Sequence, residues 1–164
     1  MQKFKKSPVN LRQAINRPFS LFAAWIGTAL VAVRGVPLVL HSVAHIQLGI
    51  IPPSLLTNAY ILVVLFLAPV CAAGLLWTRG ARAGAWLLFW SMLGSLVFEV
   101  YNHYMVMSPD HVSQIPNGLW GGIFQATAAA TAVLEAAGCV LAAYFLAGPL
   151  CRTPRQASAE RSAL

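Results

Sequence analysis

Charged side chains are what this sequence lacks most: Asp, Glu, Lys and Arg make up 9% of its 164 residues, where an average soluble domain carries about 25%. With 59% hydrophobic residues besides, the chain cannot cover a water-facing surface. That excludes a soluble enzyme fold and leaves no stretch for a second, soluble domain. Acids are scarcer than bases, four against eleven, which gives a net charge of +7. Such a surplus can signal nucleic acid, but the bases gather at Lys3, Lys5, Lys6, Arg12 and Arg17, at Arg79 and Arg82, and at Arg152, Arg155 and Arg161. No basic run is interleaved with aromatics in the way a single-strand binder requires, so nucleic acid is not an expected partner.

Cysteine is sparse too. Cys71, Cys139 and Cys151 stand far apart with no close pair, against a disulfide framework or a zinc knuckle. Four histidines are too few for the repeated His boxes of membrane desaturases and hydroxylases, although His41 and His45 have the spacing of one such box. There is no P-loop, dinucleotide fingerprint or Gly-x-Ser-x-Gly elbow.

What remains is long apolar runs. At about 20 residues per span the length accommodates four, and the sequence predicts an all-α integral membrane protein, a four-transmembrane-helix bundle with spans at 34–51, 55–77, 83–107 and 119–148. Residues 1–33 are expected to form a basic N-terminal segment plus an apolar run, and 150–164 a disordered cytoplasmic tail. The run Phe19 to Val33 follows the basic stretch as in a signal peptide, but apolar sequence resumes after Arg34 and Gly35, so it is expected to stay attached as an interfacial or helix-extending segment. Taken as one helix, Phe19 to Ile51 would measure about 50 Å, well beyond a hydrocarbon core of about 30 Å. Arg34 is therefore expected at the cytoplasmic edge of the first span.

Pro52 and Pro53 predict a turn, Pro69 a kink, and the small residues Ala128, Ala132, Ala136, Gly118 and Gly122 a close-packing stripe on the last helix. Lys and Arg occupy the N-terminus, the connection after Trp77 and the C-terminus, while the connections after Ile51 and Met107 have none. By the positive-inside rule both termini are expected in the cytoplasm, in the cytoplasmic membrane of a bacterium. The lipid bilayer is the expected partner, with a homo-oligomer or a larger membrane complex as further expectations. Trp77, Trp86 and Trp120 read as interfacial belt residues rather than a chromophore box, with Trp90 the exception, facing either lipid or the bundle.

Against this apolar background the ionisable residues inside the spans need a reason, and the default reason is function. His41 and His45 lie four apart, and so do Glu99 and His103; each pair shares one helix face. Ser91, Ser95, Glu99 and Asn102 or His103 form one stripe on the third span. Counting 1.5 Å per residue from mid-span brings His41, His45, Glu99 and Glu135 within about 6 Å of the midplane, with His103 about 12 Å toward the outside. Three of the four acids, Glu99, Asp110 and Glu135, belong to this region.

Bundles build metal sites in this manner, from facing helices into the core. The predicted metal ligands are His41, His45, Glu99 and His103. Glu135, Asp110, His111 and Asn102 are accessory or proton-relay candidates, Asp110 and His111 reaching back from the outer loop. Imidazole and carboxylate donors suit zinc, iron or copper; haem b, held by His41 or His45 with His103, is a lesser alternative. The same residues would serve a proton or metal permease subunit, or a non-catalytic membrane assembly protein in which they make interhelical hydrogen bonds worth about 0.6 kcal/mol each. Nothing in the sequence specifies a reaction.

Overall fold

The structure is a computed structural model that describes residues 21–50 and 54–147. The basic segment at 1–20, the Pro52–Pro53 turn and the tail at 150–164 lie outside the described residues. Within them are four helices long and apolar enough to cross a membrane: α1, Leu21–Leu48; α2, Leu55–Leu76; α3, Ala81–Met105; and α4, Leu119–Ala147. α4 packs along both α1 and α3, and α2 packs on α3. The outward faces are apolar on every helix, with Phe22, Val36, Ile46, Leu62, Val70, Trp90, Val97, Val133 and Val140 all exposed.

The first helix takes the helix-extending alternative, and it is the position of Arg34 that departs from expectation. The helix runs unbroken through Arg34 for 28 residues, about 42 Å, a length that a bilayer accommodates by tilt. From Leu21 on, the apolar run before Arg34 is the first half of this helix, and Arg34 sits at its middle, 2% exposed, instead of at an edge. Arg34 can stay inside because all three of its guanidinium nitrogens are matched. Nε and Nη2 donate to Glu135 Oε1 at 3.1 and 2.5 Å, Nη2 to Ser95 Oγ at 2.6 Å, and Nη1 to the Leu65 carbonyl at 2.7 Å. Ser95 also donates to Glu135 Oε1.

Pro69 explains the free carbonyl. Lacking an N–H, it cannot close the bond to the residue four back, which is Leu65, and Arg34 takes up that acceptor. The local winding changes here as well: α2 is π-helical over Ile61–Leu67 between α-helical ends, with Ala68 N–H donating to the Val63 carbonyl. The expected kink at Pro69 is thus a π-helical stretch that ends just before it. A second π segment, Tyr101–Met105, closes α3.

One end of the bundle is filled by a tight apolar cluster of Ala23, Ala24, Ala72, Leu76, Ala85, Leu88, Met92, Ala142 and Phe145. Small residues let backbones approach here. A side chain on Gly84 would lie 2.9 Å from Leu75 Cβ and 3.0 Å from the Ala72 carbonyl, and one on Gly138 would lie 2.8 Å from Met92. The buried stripe of α4 is Gly121, Phe124, Thr127, Ala128, Thr131, Glu135, Gly138, Ala142 and Phe145. It shares only Ala128 with the stripe expected from sequence, since Ala132 is half-buried and Ala136 and Gly122 are exposed. The spacing was misplaced because α4 must present Thr127 and Glu135 inward, and these fix its rotation.

Candidate metal centre

Beyond the Arg34 layer, seven residues or about 10 Å further along α1, the interior turns polar again. His41 and His45 stack one turn apart with ring centroids 4.7 Å apart, and His103 from α3 meets His41 at 4.9 Å. Phe124, fully buried on α4, packs on all three rings, at 4.5, 5.0 and 5.2 Å. The imidazole nitrogens converge: His41 Nε2 lies 3.2 Å from His103 Nε2 and 3.1 Å from His45 Nε2. One ligand atom from each of the three falls within 4.8 Å of the others.

The far side of each ring decides its tautomer. The Thr127 hydroxyl donates to the Ile123 carbonyl at 2.6 Å, so its oxygen is left to accept from His41 Nδ1–H at 3.1 Å. His103 Nδ1–H donates to the Asp110 carbonyl at 2.8 Å. His45 Nδ1 faces the Asp110 carboxylate, with Oδ1 at 3.4 Å. His41 and His103 therefore place their protons outward, assigned from these partners, and turn their Nε2 lone pairs toward each other, while His45 Nδ1 makes no hydrogen bond. Two lone pairs 3.2 Å apart with no hydrogen between them repel unless a cation sits among them.

The carboxyl of Glu99 completes this end. It is 2% exposed, with Oε2 3.6 Å from His103 Nε2 and Oε1 without a hydrogen-bond partner. The structure thus brings His41, His45 and His103 together and sets Glu99 beside them. Asp110 is at the site through both its carbonyl and its carboxylate. Asn102 lines the adjoining cavity, its amide donating to the Phe98 carbonyl at 2.8 Å. His111 pairs with Ser113 inside the loop, Nδ1 to Oγ 2.8 Å, and is not among the converging three. Glu135 belongs to the Arg34 layer and not to the histidine layer.

The loop at 106–118 reaches the site because the end of α3 offers it free backbone acceptors. Val112 N–H donates to the His103 carbonyl at 3.0 Å and Val106 N–H to that of Tyr101 at 3.0 Å. Gln125 fastens the loop from α4, Nε2 to the Val112 carbonyl, 3.0 Å, and Ile115 is buried with Ala44 and Phe124. Sequence reasoning missed Thr127, Phe124 and Arg34 as parts of this interior. Thr127 and Thr131 were the available signal, two hydroxyls one turn apart in an otherwise alanine-rich helix.

A cavity of about 470 Å³ opens beside the histidines, between α1, α2 and α3. Leu38, Ile46, Ile61, Phe66 and Phe98 give it apolar walls, and Glu99, His41, His45 and His103 stand at its polar end. Compared with known proteins, the chain matches no family model, no curated protein and no solved structure.

Proposed function

We propose that this chain is an integral membrane protein that holds one transition-metal ion between His41, His45 and His103, with Glu99 as the fourth donor. The observation that carries the reading is the convergence of three Nε2 atoms, those of His41 and His103 fixed by a hydrogen-bond acceptor behind the ring and that of His45 on a ring whose Nδ1 faces the Asp110 carboxylate at 3.4 Å. Metal-ligating histidines are oriented in this way by their outer partners. Donors about 2.1 Å from an ion lie about 3.0–3.4 Å from one another in octahedral or tetrahedral geometry, and two of the three nitrogen pairs already stand at 3.1 and 3.2 Å. A donor set of nitrogen and oxygen without thiolate fits zinc, iron or copper. When bound, such an ion supplies Lewis-acid or redox chemistry at the mouth of the cavity.

Haem fits less well. Axial histidines would stand about 4 Å apart across a macrocycle, whereas these nitrogens are closer and a third imidazole fills the same space. A through-membrane permease is disfavoured by the apolar cluster from Ala23 to Phe145, which fills the bundle beyond the Arg34 layer. For orientation, Arg34 no longer counts as a topological charge. Arg79 and Arg82 in one connection, against no Lys or Arg at 106–118, support cytoplasmic termini, with the metal centre toward the outside.

Elemental analysis of the detergent-purified protein tests the reading. About one zinc, iron or copper per chain is expected in the wild type and well under one in the His103→Ala protein, with helicity retained. Equal metal in both would overturn it.

A further inference from the structure

The cavity beside the histidines has an uneven hydrogen-bond inventory. Three of its polar side chains return an N–H or O–H to a backbone carbonyl four residues back: Ser42 to Leu38 at 2.9 Å, Asn58 to Ser54 at 3.1 Å and Asn102 to Phe98 at 2.8 Å. The acceptor Glu99 Oε1 is left with no partner although its side chain is 98% buried, since 2% is exposed. Beside the histidines the cavity thus ends on unpaired buried atoms, Glu99 Oε1 with Asp110 Oδ1 and His45 Nδ1 next to it. A buried acceptor left unpaired is costly, so the space is shaped for an occupant that brings a donor.

The rest of the cavity is mostly apolar. Its walls are Leu38, Ile46, Ile61, Phe66 and Phe98, and its volume of about 470 Å³ lies within the range of about 300–1,000 Å³ typical of small-molecule sites. Ile46 of α1 and Asn58 of α2, both exposed, stand at its rim, so the opening lies between two helices whose outer faces are apolar.

We infer that this cavity binds a lipophilic molecule with a terminal hydroxyl group, entering sideways between α1 and α2, its O–H donating to Glu99 Oε1 and its chain lying along Ile61, Phe66 and Phe98. The choice of a hydroxyl over an ammonium head rests on the metal reading, because a hydroxyl oxygen tolerates a neighbouring metal ion and an ammonium does not.

A long-chain alcohol with a mid-chain diazirine, its methyl ether and the matching amine provide the test, each added to the full-length protein in phosphatidylcholine nanodiscs. After photolysis, adducts are mapped by mass spectrometry and metal content is measured on the same samples. The alcohol is expected to label Ile46, Ile61 and Phe66. The ether, unable to donate, should bind about tenfold more weakly. Ile61→Trp, which fills the cavity without touching a proposed ligand, should abolish these adducts and leave the metal in place; Asn58→Trp at the rim serves if that protein folds poorly.

Equal labelling by alcohol and ether, preference for the amine, or adducts confined to the outward Leu62 and Val63 would overturn the inference. Metal bound without cavity labelling sinks the inference and spares the metal site. Cavity labelling without metal in the wild type sinks the metal reading and spares the cavity.

Discussion

Replacing Arg34 by Met isolates the energetics of the charged layer. The substitution keeps an unbranched apolar chain and removes the donors that Arg34 gives to Glu135, Ser95 and the Leu65 carbonyl. Glu135 is left at 0% exposure with the Ser95 hydroxyl as its remaining partner among those bonds. Stranding one member of a buried ion pair costs about 3–5 kcal/mol, whereas losing an ordinary polar contact between membrane helices costs about 0.6 kcal/mol. The two cases are far enough apart to separate.

Removing both charges, Arg34→Met with Glu135→Leu, should return stability to within about 1 kcal/mol of the wild type, because desolvation nearly offsets the attraction of a matched pair. The assay is reversible unfolding in mixed micelles, with denaturing detergent titrated and helicity followed by circular dichroism. Metal content provides a control, since the histidines lie about 10 Å away along α1. A single-variant loss near 0.6 kcal/mol, or a double variant whose loss is the sum of the singles, would refute the buried-pair account.

Asp110→Asn and Thr127→Val remove partners behind the histidine rings, and each should weaken metal binding about 10-fold to 100-fold without changing stoichiometry at saturating metal, as read by competitive titration with a chelating dye. Gly84→Ala should cost about 1–3 kcal/mol by overpacking, because its new methyl meets the α2 backbone at 3.0 Å; unfolding in mixed micelles measures it, and the metal site should be unaffected. A cysteine placed at Ser113 should react with an impermeant maleimide from outside intact cells, and one at Ala81 should not; the opposite pattern would invert the orientation.

The polar interior was legible wherever it follows helical spacing. His41 with His45, and Glu99 with His103, share faces because four residues make just over one turn, and a sequence shows that directly. Ser95 was visible in the same stripe. Depth was harder to read. Glu135 was grouped with the histidines by counting residues from mid-span, but α1 begins at Leu21, so Arg34 falls level with Glu135 and the two layers separate. Arg34 looked like a boundary because a lone arginine in an apolar run usually marks one. Its inward position depends on Glu135 and Ser95 from other helices and on a carbonyl that Pro69 leaves free, and none of these is adjacent in sequence. The π-helical turns at Ile61–Leu67 and Tyr101–Met105 have no periodic signature, and the outward hydrogen bonds that fix the histidine tautomers go to Thr127 on another helix and to Asp110 in a loop whose path only the folded chain defines.

X-ray absorption at the metal edge, on protein loaded with zinc in detergent, tests the proposed centre most directly. The expected spectrum shows nitrogen and oxygen neighbours at about 2.0–2.1 Å, with the outer-shell scattering of three imidazoles falling to two in His45→Ala. A zinc ion with sulfur neighbours at about 2.3 Å, or one whose imidazole scattering is unchanged by that substitution, would contradict it.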